Sequence, residues 1–391
     1  MTNYWLFLLK LTTRKKLNFI PVAILILSTL FLVTMNTRAS TNAGFKNDIT
    51  SYNKLLEELI DKYESYDKIS TDKIYLEQIA IEKKRLATII TLNKKSIELA
   101  EKNDWKAALT LQLKVIDEMD IKKIEDKDQY VPVGYPKFVF GKKATYQYLI
   151  KNNLKPNILT IENQGFPYLF RAIDVLFPVL VVLCIITLLT NLFTENFKQG
   201  MNLDNLFPLK KQRLLASKLT FGVLVASIVY AITLLISFAS ATLISGSNSP
   251  SYPAVLNTPS YTDIRPIGAL MLEGLFLQFL CIIFLVLFVY IIAQLTKNKV
   301  ATLFISIFIL CGLTLTLAKI QPLASILHGI PITYFNTIAV LLRDISFETG
   351  NANVTLISGT ITLTVSILIE LAIVTLLNYK RSNYKENKLA Y

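Results

Sequence analysis

One histidine and three cysteines are all that this chain of 391 residues offers for metal or thiol chemistry, and their placement narrows the field at once. A single His328 rules out a multi-histidine metal site within one chain. Cys184, Cys281 and Cys311 each lie inside an apolar run, with none in the long polar segment that follows the first such run. A disulfide framework in that segment is therefore excluded, and the three thiols read as small apolar packing residues. No phosphate-binding loop of the form G-x-x-x-x-G-K-[ST] is present; the nearest string, GYPKFVFGKKAT, holds Gly134 and Gly141 too far apart. No nucleophile with a base, and no pair of acids, can be assembled from the motifs either, so an intramembrane enzyme is disfavoured. Acidic residues are also scarce against basic ones, 28 to 41, for a net charge of +13.

Apolar sequence is what the chain has in quantity. It is 52% hydrophobic with a mean hydropathy of +0.45, and its apolar runs approach the length of about 20 residues needed to cross a bilayer as a helix. The expected fold is an all-α polytopic membrane protein with six transmembrane helices and a large, mainly helical extracellular domain between the first and second. Residues 1–16 read as a cytoplasmic interfacial helix, with Tyr4, Phe7, Leu8 and Leu11 on one face and a closing Arg14-Lys15-Lys16. The first span is placed at 17–35, with Pro21 tolerated in its opening turn; a cleaved signal peptide is the competing reading, and the length of the run favours an anchor. Spans two to six fall within 169–379, and 380–391 form a basic cytoplasmic tail. In this arrangement nearly all the excess positive charge lies on the face that holds both termini, as the positive-inside rule describes. Anionic lipid headgroups account for that charge without a nucleic-acid partner. The third span carries Gly222 and Ala226 at a spacing that permits close helix packing.

The polar segment 36–168 repeats apolar positions at helical spacing three times: Leu55, Leu56, Leu59, Ile60 and Tyr63; Leu76, Ile79, Leu86, Ile90 and Ile97; Trp105, Ala108, Leu109, Ile116 and Met119. Asp104 is placed to cap the third helix. Three narrow stripes suit an elongated bundle. Beyond Gln129 the segment turns richer in Tyr, Pro and Gly, with a short helix expected at YLIKNNLKP. Between the third and fourth spans, GSNSPSYPAVLNTPSYTDIRPIG reads as a solvent-exposed loop. Between the fifth and sixth, Pro322, Gly329 and Pro331 break an otherwise apolar stretch, so that 334–345 is expected along the outer interface or re-entering partway.

The most patterned polar stretch is 194–218, between the second and third spans. Leu203, Leu206, Phe207, Leu214 and Leu215 interrupt a basic run containing Lys198, Lys210, Lys211, Arg213 and Lys218, and Pro208 divides it into two amphipathic pieces. A glutamate, a glycine a few residues on, an apolar turn with proline, a basic residue and a closing Ser-Lys-Leu follow in order. Here these are Glu195, Gly200, Leu206, Pro208, Arg213, Ser217, Lys218 and Leu219. This pattern resembles the first cytoplasmic loop of type-2 ATP-binding-cassette (ABC) exporter permeases, and the order of spans around it resembles that family along nearly the whole chain. The resemblance implies that Glu195, Gly200, Leu203, Leu206, Phe207, Pro208, Arg213 and Lys218 couple the chain to a separate cytosolic ABC ATPase subunit. It also implies a second permease chain, identical or related, no cofactor on this chain, and a place in the cell membrane. The expected activity is export of an amphipathic peptide, toxin or other hydrophobic compound. A plain basic loop facing lipid headgroups is the simpler reading of the same residues.

Ionisable residues in the spans are the remaining candidates, because a charge in hydrocarbon costs a few kcal/mol unless paired or solvated. Glu370, in SILIELAIV, is either an inward-facing group on a transport path or a carboxyl bonded to a neighbouring Ser or Thr. Glu273 lies near the outer end of the fourth span and is the second transport-path candidate, unless it reaches water. Arg171 and Asp174 are spaced for a structural ion pair. A membrane-anchored sensor or scaffold, whose extracellular domain binds a ligand or partner, is the alternative of a different class.

Overall fold

The structure of the chain, a computed structural model, describes all residues except 1, 15, 43, 68–72, 119–134, 158–160, 196, 199–200, 203–209, 259–262 and 390–391. Helices dominate the described residues, and six of them are long and apolar enough to cross a membrane: Phe19–Thr41, Gly165–Thr194, Lys211–Ser245, Ile267–Thr296, Lys299–Lys319 and Leu356–Asn378. The polytopic helical architecture expected from hydropathy is therefore present. The chain forms two compact units, one of residues Met1–Val33, Leu169–Ser240 and Ala269–Tyr391, the other of Thr34–Tyr168 and Ala241–Gly268.

In the first, membrane-type unit, helix α1 (Thr2–Arg14) buries Tyr4 and Leu8 and sets Trp5 edge-on to Phe221 at 6.1 Å. Its apolar face thus packs on protein; the side chain of Leu11 lies outside the described residues. Helix α2 (Phe19–Asn42) continues well past the expected end at residue 35, since nothing between Asn36 and Asn42 breaks a helix and the first glycine after it is Gly44. The second span is two helices, which take the labels α7 (Gly165–Leu176) and α8 (Val182–Thr194) in chain order, joined through a π-helical turn at Phe177–Val181. The third span, α9 (Lys211–Ser245), and the fourth, α10 (Ile267–Thr296), pack closely against it. A Cβ on Gly222 would stand 3.0 Å from Phe193, 3.2 Å from Val286 and 3.3 Å from Leu189, so the glycine sets this approach, with Ala226 buried one turn on. The second and fourth spans are the most buried of the six, and the first and sixth the least.

The fifth span begins as α11 (Lys299–Ile307), capped by the Asn298 side chain, passes a second π turn at Phe308–Gly312 and ends in α12 (Leu313–Thr316). The proline-broken stretch then runs as three 3-10 turns, Leu317–Lys319, Gln321–Gly329 and Pro331–Phe335, followed by α13 (Thr337–Leu341) and α14 (Asp344–Thr349). Side chains satisfy the carbonyls that such irregular backbone leaves open. Tyr334 Oη and Thr362 Oγ1 both donate to the His328 carbonyl, at 2.7 and 2.8 Å; Asn336 Nδ2 donates to Thr314 at 3.0 Å and Asn351 Nδ2 to Ala324 at 2.7 Å. Tyr334, Phe335, Ile338, Leu341 and Ile345 are buried, so this segment packs on protein along most of its length. The sixth span belongs to α15 (Leu356–Leu389).

The second, polar unit contains α3 (Phe45–Asp67), α4 (Lys73–Glu101), α5 (Trp105–Glu118) and α6 (Tyr135–Lys151). Leu56, Leu86, Ile89, Ile90 and Val115 form its core, with Tyr52, Ile60 and Tyr63 packed around them. The first stripe is thus rotated from the expected one: Leu55 and Leu59 point outward, 62% and 37% exposed, while Ile49 and Asn53 face in. Asn93 bridges the three helices, donating to Asn53 Oδ1 at 2.7 Å and accepting from Gln112 Nε2 at 2.9 Å. Asp104 caps α5 through the amide of Ala107 at 3.1 Å, as its position indicates, and Met119 lies outside the described residues. Helix α6 is far longer than the short helix expected at its end.

The stretch after the third span corrects the expectation of an exposed loop. Two short antiparallel strands, here numbered β3 (Pro253–Val255) and β4 (Ile264–Pro266) in chain order, form a hairpin, and Tyr252, Ala254 and Leu256 are buried. The Asn157 amide donates to Tyr252 Oη at 2.8 Å, and Gly165 and Phe166 donate to the carbonyls of Gly246 and Ser247. Prolines at the hairpin's ends occupy positions where a missing ladder donor is harmless, which is why their presence did not signal a sheet.

Candidate functional site

The segment between the second and third spans starts from a polar anchor. Asn191, in the last turn of α8, donates through Nδ2 to Asn18 Oδ1 at 2.8 Å, and Asn18 in turn donates to the Thr12 carbonyl at 2.7 Å. The end of the second span is thereby tied to the helix and turn that open the chain. Glu195 closes α8, half-buried, with its amide bonded to the Asn191 carbonyl at 3.2 Å. Strands β1 (Phe197–Lys198) and β2 (Met201–Asn202) then pair antiparallel. Gly200, Leu203, Leu206, Phe207 and Pro208 lie outside the described residues. The chain re-enters the bundle at α9, where Arg213 is exposed, Leu214 and Ser217 are buried, and Lys218 is only 1% exposed. The charge of a lysine so enclosed requires polar company.

Glu370 is buried, 7% exposed, on the face of α15 that also carries Leu363 and Val374. Its Oε2 has no hydrogen-bond partner. Glu273 is half-buried on α10. The two transport-path candidates are on different spans. Arg171 pairs with Asp174 at 3.0 Å, the structural ion pair their spacing indicates.

A neutral polar group is enclosed in the bundle as well. Gln278, in the middle of α10, is fully buried and accepts the hydroxyl proton of Tyr230 from α9 at Oε1, while its Nε2 has no partner. Tyr230 lies against Phe177 with ring centroids 5.1 Å apart; Phe177 lies 6.4 Å from Phe335, and Phe335 lies 6.2 Å from Phe284. One turn from Gln278, Cys281 Sγ approaches the Tyr334 carbonyl at 3.5 Å. An amide inside an apolar run was the available signal, since a neutral polar side chain in a span also needs a reason to be there.

No protein-family model, curated protein or solved structure matches the chain.

In the polar unit burial perturbs two tyrosines and a lysine. Tyr146 and Tyr252 are pushed well above the ordinary tyrosine range by loss of solvent. Burial likewise lowers Lys142, against the opposing pull of Asp48 at 3.9 Å.

Proposed function

We propose that this chain is the membrane permease subunit of an ATP-driven ABC exporter, working with a second permease chain and a cytosolic ABC ATPase. The observation that carries the reading is the basic segment between the second and third spans, seated between two buried polar anchors, Asn191 with Asn18 on one flank and Lys218 on the other. A segment meant only to join two helices needs no such seats; one that receives force from a motor needs its ends fixed in the bundle so that displacement reaches the spans. The helix at the start of the chain, the six spans, and the irregular segment between the fifth and sixth support the same reading.

In this proposal both termini and the basic segment face the cytoplasm of a cell bounded by the membrane, and the polar unit faces outward. ATP binding by the partner moves the segment, and the bundle alternates between two states that hold the exported compound with different affinity, without which no shift occurs. The cargo is an amphipathic peptide, toxin or other hydrophobic compound. Leu206→Asp with Phe207→Asp is expected to abolish co-purification of the ATPase while leaving the permease folded; undiminished co-purification refutes the coupling role. A membrane-anchored sensor built on the polar unit, the second reading, brings down no ATPase in the same experiment.

A further inference from the structure

Gln278 is fully buried, amide-bearing, and half satisfied. Its carbonyl oxygen takes the Tyr230 hydroxyl proton, and its Nε2 group faces no acceptor. Native proteins leave few such groups, and within a membrane no bulk water supplies the missing bond. Its position is also particular. It lies on a regular helix beside two elements with irregular backbone. Phe177, which packs on Tyr230, is the first residue of the π turn of the second span, and Phe335 belongs to the 3-10 segment. Cys281 faces that same segment. Turns of the π type carry one residue too many for the α ladder and gather at functional sites.

None of Gln278, Tyr230, Phe177, Phe284, Phe335 and Cys281 carries a charge, so the surroundings exclude an ionic ligand and favour an apolar or aromatic body. We propose that Gln278 is the polar contact of a ligand site within the bundle, donating from Nε2 to a carbonyl oxygen of a neutral amphiphile whose apolar part spreads against Phe177, Phe284 and Phe335. The site opens by movement of the π turn and of the 3-10 segment, the two elements beside it that a regular helical ladder does not hold. As cargo recognition this rests on the exporter reading; as a binding site it does not.

The test uses the purified full chain in lipid nanodiscs and two dansyl-labelled probes, a dodecanoyl ester and the dodecyl ether that lacks its carbonyl, with binding followed by fluorescence. The native chain is expected to bind the ester about tenfold more tightly, equal to about 1.4 kcal/mol. Gln278→Met is expected to bring the two probes to equal affinity. Tyr230→Phe removes a hydroxyl from the same cluster but leaves the Gln278 donor, so it is expected to keep the preference for the ester. Equal binding of both probes by the native chain overturns the proposal, as does a preference that survives Gln278→Met. A preference lost as fully in Tyr230→Phe as in Gln278→Met also overturns it, because packing rather than the donor would then be responsible. None of these readouts needs an ATPase, so an ester preference together with failure to co-purify any ATPase sinks the exporter reading alone.

Discussion

Placing alanine at Gly359 puts the structure's packing of the sixth span to a direct test. In most helix interiors Gly→Ala is stabilising, by up to about 1 kcal/mol. Here a Cβ would lie 2.6 and 2.7 Å from Tyr334 Cδ1 and Cε1. That ring cannot swing aside freely, being fully buried with its hydroxyl donating to the His328 carbonyl at 2.7 Å and lying 3.1 Å from Ser358 Oγ. Overpacking of this kind costs about 1–3 kcal/mol, which against the helical gain leaves a net loss of up to about 2 kcal/mol. Thermal unfolding of the detergent-solubilised full chain should therefore show Gly359→Ala melting below the native protein. Against a Tyr334→Ala background, where the obstructing ring is gone, the same substitution should raise stability instead. A destabilisation of equal size in both backgrounds, or none in the native one, refutes the claim that backbone and ring determine each other here.

The remaining expectations concern the polar unit and the third span. Asn93→Leu strands Asn53 Oδ1 and Gln112 Nε2 in the core and should cost about 2–5 kcal/mol in the unfolding of the full chain, whereas replacing all three amides by leucine should cost much less. Asp104→Ala should fray the start of α5, raising amide exchange there and lowering stability by about 1 kcal/mol. Lys142 has its pKa lowered in the folded chain, so the native state sheds its proton before the unfolded state does. Its contribution to stability should rise as pH climbs toward 10.5, and Lys142→Met should flatten that rise in a pH series of melts. Gly222→Leu, with side chains already 3.0–3.3 Å from the position of its Cβ, should prevent recovery of the folded chain from detergent, while Gly222→Ala should be tolerated after a small shift of the Phe193 ring.

How much of this was legible in the sequence depends on what each residue reports locally. Six spans follow from run length and composition, because a helix in hydrocarbon must be apolar along its whole length. The α4 and α5 stripes hold for a similar reason. The α3 stripe was misread because Leu55 and Leu56 are adjacent, and only the partner helix decides which turns inward. The β3–β4 hairpin escaped because it is held by long-range contacts such as that of Tyr252 with Asn157, whereas the local sequence shows only prolines and serines. Both π turns were invisible, since one residue of slip leaves no mark in a run that is apolar on every face. At the candidate sites, Glu370 announced itself by charge. The burial of Lys218 left no local mark, and Gln278 was hidden by its neutrality.

The Tyr252 hairpin bears on how this molecule can be taken apart. Residues 241–268 supply apolar side chains and backbone bonds to the body built from 34–168, so that body is assembled from two separated stretches of chain. Cutting out 36–168 alone would strip Tyr252, Ala254 and Leu256 of their cover, and grafting 36–168 onto another protein would leave the Asn157 amide without Tyr252. Any chimera, truncation or soluble fragment for crystallisation has to carry both stretches, and a natural shuffling event would have had to move them together.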